Sequence, residues 1–201
     1  MTMLTCVDLF SGLGGWSRAF LYRGGWNVVK VDNEPEFHPH ICADIFNLDP
    51  SILPFKPTVV LASPPCEKFS TNTIRLNWKK RRMTNHNVLL AVGLVAKTMH
   101  IIYSLQPTYW VVENPRGKLR EVMGKPTVET SFAAWGAPNL KPTDLWGNFP
   151  EMDWPHADTW EQDGTRKIGD PAEAARIPYK LSDALRMAIE KELFQNVFKK
   201  G

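Results

Sequence analysis

The stretch LTCVDLFSGLGG, residues 4–15, decides how the rest of the chain is read. It opens as a near-continuous apolar run of strand length, and SGLGG then breaks it. WSRAFLYRG (16–24) follows as a helix closed by Gly24 and Gly25. WNVVKVD (26–32) is a second strand that ends on Asp32, and ICADIF (41–46) is a short third around Asp44. PTVVLAS (57–63) is a fourth and PTYWVVEN (107–114) a fifth, with the long apolar helix HNVLLAVGLVAKTMHIIYSL (86–105) between them. Alternating strands and helices, with strands apolar on both sides, predict an α/β fold. The sheet is mostly parallel, with helices on both faces.

Outside this core the pattern weakens. Residues 116–175 are rich in Pro, Gly and Trp, with short strand signals near 127–138 and 143–149. Helix returns in KLSDALRMAIEKELFQNVF (180–198). The expected organisation is one domain over 1–201. About 1–125 forms the core, about 126–175 a reduced small lobe, and about 176–201 a helix that returns to the core. The eight tryptophans are expected mainly to fill the interior.

The composition, 43% hydrophobic and 22% charged in 201 residues, is that of a globular domain. No apolar run is read as reaching the ~18–20 residues of a membrane span. The opening MTMLTCVDLF has no signal-peptide pattern, so a cytoplasmic protein without a membrane partner is expected. The three cysteines, Cys6, Cys42 and Cys66, show no CxxC and no zinc spacing, so no metal site is expected. Cys6 lies in an apolar run and reads as a buried small hydrophobe. Nothing in the sequence fixes an oligomeric state.

Net charge is only +3, but its distribution is uneven. From Lys68 to Val112 there is no Asp or Glu. The same stretch carries Arg75, Lys79, Lys80, Arg81 and Arg82, interleaved with Trp78 and amides. Such a patch suits phosphates, which points to nucleic acid.

Ligands of open parallel sheets bind outside the carboxyl ends of the strands. Asp8, Asp32, Asp44, Cys66 and Glu113 all fall at or just past such ends. The glycines of FSGLGG let backbone approach a ligand, and Asp32 can accept the hydroxyls of a ribose or cap a helix. No lysine follows the glycines, so the turn is not a triphosphate-binding loop. Cys66 follows Ser63-Pro64-Pro65 and precedes basic residues, a setting expected to favour thiolate. Glu113 closes the apolar run YWVV, which is expected to raise its pKa and make it an acid.

These motifs, in this order, resemble the cytosine-C5 DNA methyltransferases, which use S-adenosylmethionine. DLFSGLGG is similar to their first motif, PPCEKFS to their catalytic PPCQ-x-FS and ENPRG to their ENV. WGAPNLKPT is similar to their YG-x-PQ-x-R-x-R, with Asn139, Lys141 and Thr143 in place of Gln, Arg and Arg. The resemblance implies a Rossmann-like methyltransferase fold and a cofactor, S-adenosyl-L-methionine. It implies that Asp8, Phe10, Gly12, Gly14, Gly15, Asp32, Asn33, Asp44, Ile45 and Pro64 meet that cofactor, with Glu34 a second acid after strand 2. It implies Cys66 as nucleophile on C6 of cytosine, Glu113 at N3, Asn114 as a brace and Lys141 in place of an arginine. Ser70, Arg75, Lys79, Lys80, Arg81 and Arg82 would meet DNA through the family's catalytic loop. The family's late GN-x-V segment has no counterpart, and RIPYKLSDALRMAI stands where its helix would be. The stretch from Thr143 to Arg176 is too short for a full target-recognition domain, as in small phage-associated members of the family. A degenerate member that binds cofactor or nucleic acid without turnover is the alternative. An amino-methyltransferase is a third, disfavoured because those enzymes carry an aromatic where this chain has Cys66.

Overall fold

The computed structural model describes residues 3–69, 78–79, 82–83, 86–155, 173 and 175–198. Seven strands form one sheet in the order β3-β2-β1-β4-β7-β9-β8. They are β1 (Leu4–Leu9), β2 (Trp26–Asp32), β3 (Ile41–Cys42), β4 (Val59–Ala62), β7 (Tyr109–Pro115), β8 (Val128–Ser131) and β9 (Pro142–Asn148). β5 (Trp78–Lys79) and β6 (Arg82–Met83) form a separate antiparallel pair. β1 runs parallel to β2 and β4, β2 to β3, and β4 to β7. β9 is antiparallel to both β7 and β8, so it is the one reversed strand of this sheet.

Each strand residue points to the face opposite its neighbour, and the two faces bury different partners. Cys6, Val59, Leu61 and Val111 pack on one face with Phe20, Leu181, Leu185 and Ile189. Val7, Leu9, Val60, Ala62 and Val112 pack on the other with Ile101, Ile102 and Leu105. The first group is covered by helices α1 (Arg18–Tyr22) and α4 (Tyr179–Phe198), the second by α2 (His86–Leu105); a one-turn α3 (Arg120–Met123) follows β7. Burying a large aliphatic side chain contributes about 1.5–3 kcal/mol, so both layers are needed to hold a two-sided sheet. Cys6 is fully buried, as its apolar context predicts, and Trp16, Trp26, Trp135 and Trp146 are all interior.

Three sequence expectations are corrected. β3 is only two residues long and ends at Cys42, so Asp44 lies in the turn beyond it. The strand signal near 127–138 stops at Ser131, where a 3-10 turn, Ala133–Trp135, takes over. α2 is long and apolar enough to cross a membrane, against the expectation that no run is. Its apolar character has a local cause: Val88, Val95, Ile101, Ile102 and Leu105 pack into the interior. β8 and β9 extend the main sheet, and residues 156–172 lie outside the described residues.

Candidate active site

β1 ends in a tight turn held from two sides. Gly12, at φ +46°, donates its amide to Asp32 Oδ2 at 2.7 Å, and the Glu34 amide donates to Asp32 Oδ1 at 3.0 Å. Asp32 is nearly buried and both of its oxygens are engaged, so it ties the glycine turn to the end of β2. Glu34, two residues on, is exposed. Asp8, buried in β1, accepts from the Ser17 amide at 3.2 Å, while its Oδ1 is buried without a hydrogen bond. Burial pushes the Asp8 carboxyl up to about 7, against the opposing pull of Ser17.

A cleft of about 190 Å³ opens where these ends meet. Phe10, Asp32, Asn33, Asp44, Ile45 and Pro65 are among its walls. Phe10 sits at φ 60°, a left-handed conformation that costs a non-glycine residue energy and recurs at functional sites. Asp44 Oδ1 accepts from the Phe46 amide at 2.9 Å, which shapes the turn past β3. An aromatic ring, apolar walls and acidic strand ends fit a nucleoside-bearing molecule. Pro64 is not on this wall; it is buried, and its carbonyl accepts from Asn114 Nδ2 at 2.8 Å. Gly15 is not on it either, since it faces Ile177 instead.

Beside this cleft lies a second group. Cys66 is a free, half-buried thiol past the end of β4. The Asn114–Pro64 bond fixes the Pro64-Pro65-Cys66 turn against β7. Glu113 is 3% exposed, and its Oε1 is buried without a hydrogen bond. Lys141 Nζ lies 3.7 Å from that oxygen. Lys141 is itself held by the Phe132 ring, 4.1 Å from its ammonium to the ring centroid, and by the Ala175 carbonyl at 3.4 Å. Its backbone is left-handed, at φ 27°. Thr143 is fully buried, and its hydroxyl donates to the Lys141 carbonyl at 2.9 Å.

One electrostatic expectation is overturned. Burial raises the Cys66 thiol above its ordinary value, Lys141 pulls it down, and Glu113 and Glu67 push it up again. Among the described residues desolvation outweighs the Lys141 ammonium, so this setting favours the thiol over the thiolate. Of the basic residues expected on DNA, Lys79 and Arg82 are register partners in the β5–β6 pair. Ser70, Arg75, Lys80 and Arg81 lie outside the described residues. The sequence reading missed Phe132 and Ala175, because their roles depend on folding residue 141 back over β7.

The reversed strand beside β7 and the crossovers on both faces define a Rossmann-like methyltransferase fold. A solved structure of a methyltransferase, EhMeth of Entamoeba histolytica, shares it. The TM-score is 0.50 at 11% identity, over 76% of this chain and 55% of that one. The family described as C-5 cytosine-specific DNA methylase matches residues 4–129. A "Probable DNA (cytosine-5)-methyltransferase" of Frog virus 3 (isolate Goorha) is 31% identical over 150 residues, covering 70% of this chain and 68% of the relative. The type II methyltransferase M.HgiGI of Herpetosiphon aurantiacus is 27% identical over 129 residues, covering 58% of this chain and 94% of that one. The chain belongs to the C-5 cytosine-specific DNA methylase family. Its enzyme class is accordingly that of a DNA (cytosine-5-)-methyltransferase.

Proposed function

We propose that this chain transfers a methyl group from S-adenosylmethionine to C5 of cytosine in DNA, through a covalent bond between Cys66 and C6. The observation that carries the proposal is the grouping of Cys66, Glu113 and Lys141 beside a nucleoside-sized cleft, with Asn114 locking the turn that bears the thiol. S-adenosylmethionine, when bound, supplies an electrophilic methyl group. Asp44, Phe10 and the β2 end are the chain's groups for its nucleoside part.

Cys66 first gives its thiol proton to solvent water; the thiolate then adds to C6, and the electron pair moves through the ring so that C5 becomes nucleophilic. Glu113 meets N3 and shares a proton there, which offsets the charge developing on the ring. Its Oε1, which makes no hydrogen bond, has acceptor capacity for that contact. Lys141 keeps a positive charge beside both Glu113 and the thiol. After C5 has taken the methyl and the demethylated thioether has been released, transfer of the C5 proton to solvent water returns the electron pair to the ring and breaks the S–C6 bond, so Cys66 leaves as the thiolate. A base held in a duplex leaves its stack before the thiol reaches it.

The test is transfer of a labelled methyl group to duplex DNA, single-stranded DNA, transfer RNA and free cytidine nucleotides, with Cys66→Ala as control. Label on C5 of cytosine in DNA, lost in the control, is expected. One observation favours a second reading, a cofactor-binding protein without turnover: buried Thr143 stands where the family carries an arginine, and its hydroxyl is spent on a backbone carbonyl. Cofactor binding with no label in any substrate would select that reading.

A further inference from the structure

Gly14 and Gly15 lead the chain directly into Trp16, a buried residue tied to several elements at once. Its carbonyl accepts from the Ser182 hydroxyl of α4. Its ring packs with Val111 of β7, Leu145 of β9, and Leu181 and Leu185 of α4. Its indole Nε1 donates to Ser63 Oγ at 3.0 Å. Ser63 follows β4 directly and stands three residues before Cys66.

The two prolines between Ser63 and Cys66 decide what that hydrogen bond does. Neither has an amide hydrogen by which it can be tethered, and neither absorbs a displacement by turning about φ. A shift at Ser63 is therefore passed on to Cys66. Asn114 holds the Pro64 carbonyl, and the Ser63 amide donates to the Leu9 carbonyl at 3.3 Å. Trp16, for its part, is fixed to the glycine turn. The Gly14 amide donates to the Ser11 carbonyl at 2.7 Å, the Arg18 amide to the Gly14 carbonyl at 3.0 Å and the Ser17 amide to Asp8. The same turn carries the Gly12 amide bonded to Asp32 on the cleft wall. We propose that Trp16 is a positioning residue: its indole N–H, acting through Ser63, sets the place of the Cys66 thiol relative to the glycine turn of the cleft. The consequence for methyl transfer rests on the function proposed above, whereas the effect on the thiol does not.

The test compares wild type with Trp16→Phe, Ser63→Ala and the double variant. Trp16→Phe keeps an aromatic ring in the interior and removes the N–H. The first readout is alkylation by iodoacetamide, resolved for each cysteine by peptide mass spectrometry, which needs neither cofactor nor turnover. A released turn exposes the half-buried thiol, so each single variant should alkylate Cys66 about three- to tenfold faster, the range of one hydrogen bond. The double variant should be no faster than the faster single one, because both changes remove the same bond. Cys6, fully buried in β1 and packed in the same cluster as Trp16, reports general loosening and should keep its wild-type rate. The second readout is labelled methyl transfer to DNA. Its kcat should fall about tenfold or more in Trp16→Phe, with the KM for S-adenosylmethionine unchanged, since the thiol is displaced and the cleft is not. Wild-type alkylation of Cys66 in both single variants would overturn the assignment. So would additive effects in the double variant, or an unchanged kcat. Faster alkylation of Cys6 together with Cys66 would also overturn it, making Trp16 a packing residue. If wild type transfers no methyl group, the function proposed above fails, and the alkylation rates alone decide the place of Trp16.

Discussion

Half-buried Cys66 and buried Asp8 are both acids whose protons are held by desolvation, and each gives a pH signature. For Cys66, burial outweighs Lys141 and raises the thiol. Its alkylation by iodoacetamide, followed by peptide mass spectrometry to separate it from exposed Cys42, should accelerate with pH past the ordinary thiol range of about 8.5. Lys141→Met removes a cation that lowers the thiol pKa, so the profile should move to still higher pH. A shift to lower pH would refute that role for Lys141. For Asp8, the folded carboxyl titrates at about 7. The unfolded chain releases the same proton near pH ~4, so the folded state binds more protons between these values. The contribution is full below pH ~4 and is lost as pH rises to about 7. Asp8→Asn removes this loss, so the variant should gain on wild type by about 2–4 kcal/mol between pH 4 and 8. Thermal melts at several pH values measure it, and a constant difference would contradict the account.

At the scale of elements, the site depends on two places where one segment is pinned to another. Asn114, fully buried in β7, donates to the Pro64 carbonyl and so sets the height of the Cys66 turn. Asn114→Ala should cost about 1–3 kcal/mol by stranding that carbonyl. It should also speed Cys66 alkylation, because the turn is no longer held down. Denaturation and alkylation measured together check both. The second place is Gly15 against Ile177. Gly15→Ala forces the glycine turn off the segment that precedes α4, at about 1–3 kcal/mol, the range for overpacking. An unchanged melting temperature in that variant would mean that the contact relaxes freely. These elements were largely legible from pattern. The strand of residues 4–9, the helix of 86–105 and the start of β2 fall where periodicity puts them. β3 was over-read, because alternating ICADIF continues as a turn once Asp44 accepts from the Phe46 amide.

At the scale of the whole molecule, the far end of the sheet is braced by charge. Asp144, fully buried in β9, takes a bidentate pair from Arg120, while Arg116 and Arg120 both reach Glu129 of β8. This joins β7, β8 and β9 around the one reversed strand. Arg120→Met leaves the Asp144 carboxylate with only Arg116, 3.9 Å away. The expected cost is about 3 kcal/mol, the low end for a buried pair broken on one side, since Arg120 is about one-third exposed. A urea midpoint unchanged from wild type would show that the pair contributes nothing net.

The sequence by itself determined the fold class, the strand ends that carry function and the family, because these depend on local periodicity and on short motifs in fixed order. Cys66, Glu113 and Asn114 were legible for that reason. The tertiary structure alone decided what each group faces. It made Asp32, on the cleft wall, the brace of the glycine turn as well, and Pro64 the anchor of Asn114. It made desolvation the larger influence on Cys66. It brought Lys141, Phe132 and the segment of residues 175–177 onto one site from distant parts of the chain. Burial and long-range approach are properties of the packed chain, and no local pattern encodes them.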